Sequence, residues 1–378
     1  MAAGCAGGAN ASAPTWVPQP SFTGDGAGRG GSSSTPGAPG GGPGGPSGRS
    51  GTSGAPGPDP AVVATGLTAP VGLTLLPDNT ALVGERTTGR VVRVQSRPGQ
   101  PVQTVRTLTG LDPTGDGGLM DLAISPHYAQ DNLIYAYVTT ATDNRVVEFT
   151  LTGPVTPVVA GIPKGKTDNT GRLAFDGVGD LYVGTGDAGH PELAADHASL
   201  AGKVLRVTDV GSPATGNPVP SSPVYTTGHR VVDGLCYSAR QDTMVEVEGN
   251  HINALVAGAD YGWPRTTPGT RKPMAVLPAV APVPGGCAVQ EGRLYVTSLD
   301  GQSVLSTLLT SSGTTVITGR FSAGLTKIYG RLRTVVAAAD GALWLTTSNR
   351  DGRGAPIPAD ERVIRILASS LGTSSSPV

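Results

Sequence analysis

Residues 167–206 read TDNTGRLAFDGVGDLYVGTGDAGHPELAADHASLAGKVLR, and they carry the clearest structural signal in the chain. Three short apolar runs, at 173–175, 181–183 and 204–207, are separated by clusters of glycine and aspartate. Short apolar runs bounded by such clusters are typical of strands joined by turns. The segment therefore predicts a strand, a turn, a second strand, a long loop and a closing strand.

The same order of elements recurs along the chain. Six units each begin with a glycine and an apolar strand, continue through a turn to a second strand, and close with a third. Their first strands begin near residues 72, 118, 171, 234, 286 and 331. Spacings of roughly 45–63 residues are typical of propeller blades with loop insertions. We predict an all-β, six-bladed β-propeller; a pair of β-sandwiches fits the spacing less well.

Composition divides the 378 residues into three parts. Residues 1–58 are mostly glycine, serine, proline and alanine, so we expect a disordered tether that cannot bury enough apolar surface to fold. Residues 59–368 form the predicted propeller. Residues 369–378 are rich in serine and are expected to be a flexible tail.

Charge and hydropathy limit the partners that we expect. The net charge is −1 and no basic stripe is present, so nucleic acid is not an expected partner. The sequence contains no run of 18 apolar residues, so it does not predict a membrane-spanning helix. Any contact with a membrane is expected to depend on a lipid anchor.

The three cysteines suggest such an anchor. The start Met-Ala-Ala-Gly-Cys places small residues before Cys5, as in a bacterial lipoprotein signal, although the apolar segment that normally precedes this motif is missing. Either the true start lies upstream or the similarity is chance; we favour a lipoprotein outside the cytoplasm, anchored to the outer face of the membrane or secreted. Cys236 and Cys287 would then remain to form a disulfide in an oxidising compartment, unless they are two unrelated buried thiols.

The residues around 171–206 resemble the soluble quinoprotein glucose/sorbosone dehydrogenase family, and the similarity extends over about 65–367. The matching segments are Gly-Arg-Leu at 171–173, Gly-Asp at 186–187 and Gly-Lys-Val-Leu-Arg at 202–206. Further matching segments lie at 115–128, 228–235, 260–264 and 330–335. The chain looks most like an actinobacterial lipoprotein branch of that family.

The resemblance implies a cofactor site on the propeller axis. Members of the family hold the quinone PQQ over the axial channel, with calcium on its carbonyls and a histidine as proton acceptor. Arg230, Arg331 and Arg333 match the arginines that bind the PQQ carboxylates. Because residues two apart in a strand point to one face, Arg331 and Arg333 are expected to grip one anion together, the alternative being salt bridges on the rim.

Four positions depart from the family pattern. The resemblance places the catalytic residues at Asp168, where the family has its histidine, and at Asp116, where it has glutamine or glutamate. An ordinary aspartate is a weak base at neutral pH. Val231 replaces the asparagine after Arg230, and Asp300 replaces the PQQ-binding lysine.

The calcium loop of the family is shortened here to residues 248–253. Glu248, Gly249 and Asn250 remain as candidate ligands, without the proline and the acidic pair of the family motif, so calcium and PQQ both stand in question. One hypothesis is that Asp116, Asp168 and Asp300 gather at the channel mouth and bind a cation or a polyol instead.

Other motifs are interpreted as structural. Residues 184–189 fit Gly-x-Gly-x-x-Gly but precede no βαβ unit, so a dinucleotide site is not expected. His190 and His197 share a loop with acidic residues. We interpret this segment as a solvated loop rather than as a metal site. His229 and the turn at 261–264 are interpreted as structural, with a channel or sugar-pocket role as the alternative.

The sequence thus predicts a PQQ-dependent aldose dehydrogenase-like surface lipoprotein with an altered site, which acts on CH–OH groups of sugars if it is active. The alternative is a catalytically degenerate propeller that binds a sugar, a polyol or a partner. A lactonase-like hydrolase, with a metal held by acids at the channel, is a third and weaker alternative.

Overall fold

The computed structural model describes residues 59–311 and 315–373. Nearly all of the regular secondary structure in these residues belongs to six antiparallel sheets of four strands each. The predicted tether at 1–58, with the lipidation of Cys5, and residues 374–378 of the predicted tail lie outside the described residues.

The first strand of the chain belongs to the last sheet, and the other strands form the sheets in chain order. The first strand is β1 (Val62–Ala64). The first three blades comprise β2 (Pro70–Leu75), β3 (Ala81–Glu85), β4 (Arg90–Val94) and β5 (Gln103–Thr107); β6 (Leu119–Ile124), β7 (Ile134–Thr139), β8 (Asn144–Phe149) and β9 (Val155–Ile162); and β10 (Gly171–Phe175), β11 (Leu181–Thr185), β12 (Val204–Val207) and β13 (Val224–Thr226).

The last three blades follow the same plan. They comprise β14 (Gly234–Ser238), β15 (Thr243–Glu248), β16 (His251–Ala254) and β17 (Ala275–Val276); β18 (Pro284–Gln290), β19 (Arg293–Ser298), β20 (Ser303–Ser311) and β21 (Thr315–Gly324); and β22 (Leu332–Ala337), β23 (Ala342–Thr347), β24 (Val363–Leu367) and β1. Two short helices, α1 (Tyr128–Asp131) and α2 (Pro191–Ala195), lie in loops. None of the helices in the described ranges is long and apolar enough to cross a membrane.

The first strand of each blade is its innermost strand. Each of these six strands packs against the first strands of the two neighbouring blades, and β22 packs against β2 to close the ring. The predicted six-bladed β-propeller is confirmed. Each blade also has a fourth, outer strand that the three-strand units did not predict. Outer strands such as β5 are half-exposed and carry no apolar run.

The ring closes through both ends of the folded chain. Strand β1 pairs with β24, with Val62 opposite Ile364 and Ala64 opposite Val363, so the last blade combines residues 62–64 with residues 332–367. Residues 369–373, predicted to be tail, instead continue a 3₁₀ helix (Ala368–Thr373) in which Leu371 is buried.

The glycines that begin the units have a packing reason. A Cβ atom on Gly171 in β10 would lie 2.0 Å from the ring of Tyr137 in the neighbouring blade. A Cβ atom on Gly234 in β14 would lie 2.9 Å from the backbone nitrogen of Cys287 in β18. The inner strands therefore approach each other too closely for a side chain at these positions.

Two of these inner strands are also linked covalently. Cys236 in β14 and Cys287 in β18 form a disulfide, with their Cα atoms 5.8 Å apart. Both cysteines are buried in the core between blades four and five. The disulfide thus joins two neighbouring blades close to the propeller axis.

Candidate functional site

A cavity of about 580 Å³ opens at one end of the propeller axis. Its wall is built from two kinds of segment: those that directly precede an inner strand, and the turns that join the second and third strands of a blade. The contributing residues come from segments 66–71, 86–87, 116–120, 166–170, 231–233, 331–333 and 348–361. Side chains far apart in sequence therefore meet because each blade presents the same end to the axis.

Asp116 and Asp168, the predicted catalytic residues, both line this cavity. The Nδ2 atom of Asn169 donates to Oδ1 of Asp116 at 2.7 Å. Burial raises the pKa of Asp116, an effect that the hydrogen bonds from Asn169 oppose and the negative charge of Asp168 reinforces. The structure thus brings these two carboxyl groups together.

Arg230 contacts Asp168 from behind the wall. Its Nη2 atom lies 3.4 Å from Oδ2 of Asp168, and its guanidinium lies 5.1 Å from the ring centroid of Trp263. Trp263 in turn donates from Nε1 to Oδ2 of Asp187 at 2.7 Å. Arg230 is not among the lining residues of the cavity, so its position suits holding Asp168 more than a direct grip on an anion in the cavity.

Arg331 lines the cavity, but two carboxylates already occupy its guanidinium. Its Nε atom is 2.7 Å from Oδ2 of Asp351, and its Nη1 atom pairs with Asp300. The prediction that Arg331 and Arg333 grip one anion together therefore does not describe this arrangement. Asp300 is not among the lining residues either. The hypothesis of a three-aspartate cluster was wrong in this respect, because the turn after β19 aims Asp300 at Arg331.

Arg333 is different from Arg331. Its Nε atom is 3.4 Å from Oγ of Ser348, and no carboxylate in the described ranges lies within 4.0 Å of its guanidinium. Burial, and next the positive charge of Arg172, lower the pKa of Arg333 to about 10. Arg333 is thus a cation in the cavity wall with no ion-pair partner among the described residues, the arrangement expected of a receptor for an anionic ligand.

Sequence reasoning missed Asp233, which also lines the cavity. Its Oδ2 atom accepts a hydrogen bond of 3.0 Å from the backbone nitrogen of Gly249. Burial raises the pKa of Asp233 to about 7, although that hydrogen bond and the charge of Arg172 act in the opposite direction. The signal was available, because Asp233 directly precedes the first strand of blade four as Arg331 precedes that of blade six.

The candidate calcium ligands lie on a tight turn. Strands β15 and β16 pair up to Glu248 opposite His251, which leaves Gly249 and Asn250 as a two-residue hairpin turn. The side chain of Glu248 points into the blade and hydrogen-bonds to His229 at 3.1 Å. Calcium takes six to eight oxygen ligands. Glu248, Gly249 and Asn250 do not fit a calcium site of that kind.

The remaining motifs occupy ordinary structural positions. The loop at 184–189 leads to the five-residue α2, and the next strand runs antiparallel, so it forms no βαβ unit. His190 and His197 are exposed, and the Nδ1 atom of His190 lies 3.3 Å from Oε1 of Glu192. Tyr261 stacks on His229 with ring centroids 5.0 Å apart.

A six-bladed ring with a cavity lined by charged side chains at one end of its axis places the chain among the β-propellers. Within that class, the chain belongs to the glucose/sorbosone dehydrogenase family, whose model matches residues 67–357.

The relatives agree with this assignment. The PQQ-bound aldose sugar dehydrogenase of Streptomyces coelicolor is 38% identical and superposes with a TM-score of 0.76 over 80% of this chain and 95% of that one. The putative oxidoreductase (glucose dehydrogenase) of Thermus thermophilus is 37% identical, with a TM-score of 0.74 over 81% of this chain and 98% of that one. Quinoprotein glucose dehydrogenase B of Acinetobacter calcoaceticus is 29% identical over 54% of this chain and 52% of its own length. The chain thus spans about half the length of that curated relative.

Proposed function

We propose that this protein is an aldose dehydrogenase that uses a quinone cofactor of the PQQ type, with a cavity carboxylate in place of the family's histidine as proton acceptor. The observation that carries the proposal is Arg333, a partly buried guanidinium without a carboxylate partner in the described residues, in the same cavity as Asp168 and Asp233. The PQQ-bound relative from Streptomyces coelicolor supports the same class of cofactor.

The size of the cavity and its cationic side chains suit a planar, anionic cofactor such as PQQ. Its volume of about 580 Å³ lies within the usual range for cofactor and substrate sites. Arg333 offers a guanidinium to one carboxylate of PQQ, and the exposed Lys166 at the cavity wall offers an ammonium to another. Arg331 is the weaker candidate because Asp300 and Asp351 already neutralise it.

When bound, PQQ supplies the two-electron oxidant for the sugar. The chain's own residues must orient the sugar and remove the proton of its anomeric hydroxyl. A general base works best when its pKa lies near the working pH, and Asp233, with a pKa of about 7, meets that condition. Asp168 is engaged by Arg230 at 3.4 Å, an arrangement suited to accepting hydrogen bonds from sugar hydroxyls.

The test is reconstitution with PQQ followed by dye-linked oxidation of a panel of aldoses. We expect saturable PQQ binding and turnover in the wild type, and a loss of turnover of about 100-fold or more in Asp233→Asn. Asp242→Asn is the matched control, because Asp242 lies in the turn after β14 at the opposite end of blade four. Saturable PQQ binding without oxidation of any aldose would contradict the proposed activity.

A second candidate function is a propeller that binds a sugar or polyol without catalysis. The observation that favours it is the pairing of Arg331 with Asp300 and Asp351, which removes one cation from the cofactor site. Absence of PQQ binding at high micromolar concentration, together with calorimetric binding of a sugar, would support this function over the first.

We further propose that the protein works outside the cytoplasm, attached through lipid on Cys5. The Cys236–Cys287 disulfide supports an oxidising compartment, in which such bonds persist. Mass spectrometry of the native amino terminus should show diacylglycerol on Cys5. An unmodified Met1 would refute the anchor.

A further inference from the structure

Three side chains that commonly bind metals converge behind the segment that carries Arg230 and Val231, of which Val231 lines the axial cavity. The closest nitrogen and oxygen atoms of His229, Glu246 and Glu248 all lie within 4.8 Å of one another. Nδ1 of His229 is 3.1 Å from Oε2 of Glu248 and 3.9 Å from Oε1 of Glu246. These three residues are not among those that line the axial cavity.

We propose that His229, Glu246 and Glu248 bind one divalent transition-metal ion such as Zn²⁺. A tetrahedral ion with bonds of about 2.0–2.1 Å holds neighbouring ligand atoms about 3.3 Å apart. The two measured separations from Nδ1 lie on either side of that value. Small side-chain rotations would therefore bring all three ligand atoms into contact with a central ion.

The strongest observation is an unsatisfied oxygen at the centre of the cluster. Glu246 is fully buried, and its Oε1 atom has no hydrogen-bond partner among the described residues. Its other oxygen, Oε2, accepts a hydrogen bond of 2.6 Å from Nδ2 of Asn253. Leaving a buried carboxylate oxygen without a donor is costly, and a cation at this point would remove that cost.

Each of the three residues has one atom bound to the protein and one directed at the others. His229 pairs through Nε2 with Oγ1 of Thr226 at 2.9 Å, which leaves Nδ1 directed at the two glutamates. Oε1 of Glu248 accepts a hydrogen bond of 3.1 Å from the backbone nitrogen of Val231, which leaves Oε2 directed at His229. Metal ligands are commonly oriented in this way, because bonds to the second atom fix the direction of the first.

The charges of the cluster also call for a cation. In the described ranges, no side-chain nitrogen of a lysine or arginine lies within 4.0 Å of either carboxylate, and the ion-pair contact of both is with His229. A divalent ion would neutralise the two negative charges of the carboxylates, while the imidazole would bind it as a neutral ligand.

The donor set selects among divalent ions. Calcium and magnesium prefer six or more oxygen ligands, whereas one imidazole nitrogen with two carboxylates suits zinc, manganese, iron or cobalt. The ion would be structural. The backbone nitrogens of Arg230 and Val231 both donate hydrogen bonds to Oε1 of Glu248, so a metal on Glu248 would fix the position of this segment.

The test uses the folded protein after removal of metals with a chelator, without PQQ. Titration calorimetry with Zn²⁺ should give one site per chain with a Kd below about 1 μM, and bound Zn²⁺ should raise the thermal midpoint. Glu246→Gln and Glu248→Gln should each weaken binding by at least 100-fold. Glu246→Gln retains an acceptor for Asn253, and circular dichroism will show that it folds.

Glu192→Gln is the matched control, because Glu192 is an exposed acid beside His190 and its loss should leave Zn²⁺ affinity unchanged. Absence of stoichiometric Zn²⁺ binding to the wild type would overturn the proposal, as would equal affinity in Glu246→Gln or preferential binding of Ca²⁺. The outcome is independent of PQQ binding, so it separates this inference from the proposed function.

Discussion

Asp233 and Asp168 line one cavity but meet opposite surroundings. The guanidinium of Arg230 lies 3.4 Å from Asp168. Asp233 instead accepts one backbone hydrogen bond, and burial raises its pKa more than that bond and the charge of Arg172 lower it. Burial favours the neutral acid, so Asp233 can change its protonation state near neutral pH. The residue best placed to move a proton is therefore not the one at the family's histidine position.

This difference predicts the pH dependence of turnover. Because the acceptor must be ionised, kcat/KM should rise as the pH increases through about 7 and level off above it. Asp233→Asn should lose this rising limb and about 100-fold or more of the rate. Asp168→Asn should keep the rise of kcat/KM through about pH 7 but level off at a lower value of kcat/KM. A wild-type pH profile in Asp233→Asn would assign the proton to another group.

Asp300 is predicted to weaken the cofactor site through Arg331. Asp300→Asn removes one of the two carboxylates on this guanidinium, and Asp300→Lys also adds a cation where the family has one. We expect PQQ to bind about 10-fold more tightly to Asp300→Lys, equivalent to about 1.4 kcal/mol. Fluorescence or calorimetric titration measures the change. Unaltered affinity in both variants would mean that PQQ does not approach Arg331.

The sequence could predict which residues reach the cavity better than what they do there. Asp116, Asp168 and Arg333 were found because motif positions fix which end of a strand they occupy. The partners of Arg331 could not be found, since Asp351 lies in the long loop between β23 and β24, whose course the strand pattern does not determine. Glu246 was missed because it alternates with apolar residues in β15 and so resembles an outward-facing position.

At the scale of the element, the inner strands set the geometry of the ring. Their closeness explains the glycines at the start of units three and four, Gly171 and Gly234, and the recurrence of such glycines made the blades recognisable in the sequence. The outer strands were not predicted, because half-exposed strands such as β5 and β17 lack a strong apolar pattern.

Gly171→Ala should destabilise the protein by about 1–3 kcal/mol. Its Cβ atom would lie 2.0 Å from the ring of Tyr137, which is fully buried and cannot move without disturbing the core. Gly286→Ala is the matched control, since it occupies the same position in blade five and its Cβ would have its closest contact at 3.3 Å. Urea unfolding of both variants tests this, and equal losses would contradict it.

At the scale of the whole molecule, two devices hold the ring together. Strand β1 closes the last blade across some 300 residues of sequence, and the disulfide joins blades four and five across 51 residues. Repeat patterns predicted the number of blades but not this closure. Strand β1 has only three residues and is not part of a repeated unit, so its sequence does not indicate that it pairs with the distant strand β24.

Replacing both Cys236 and Cys287 by alanine should lower the free energy of unfolding by about 2–4 kcal/mol, because the bond restricts the unfolded chain. Cys5→Ser is the control and should leave stability unchanged. Denaturant unfolding with and without reductant gives the values. An unchanged midpoint after reduction would show that the packing of blades four and five suffices.

The cavity wall is supplied by the ends of the inner strands and by the segments next to them, one blade at a time. Substitutions there leave the buried faces of the sheets intact, so the chemistry on the axis can change stepwise while the ring persists. Asp168→His is therefore expected to leave the six-bladed fold in place, which circular dichroism can check. The propeller is, in this respect, a constant framework in which residues of the cavity can be exchanged and the effect on ligand binding measured.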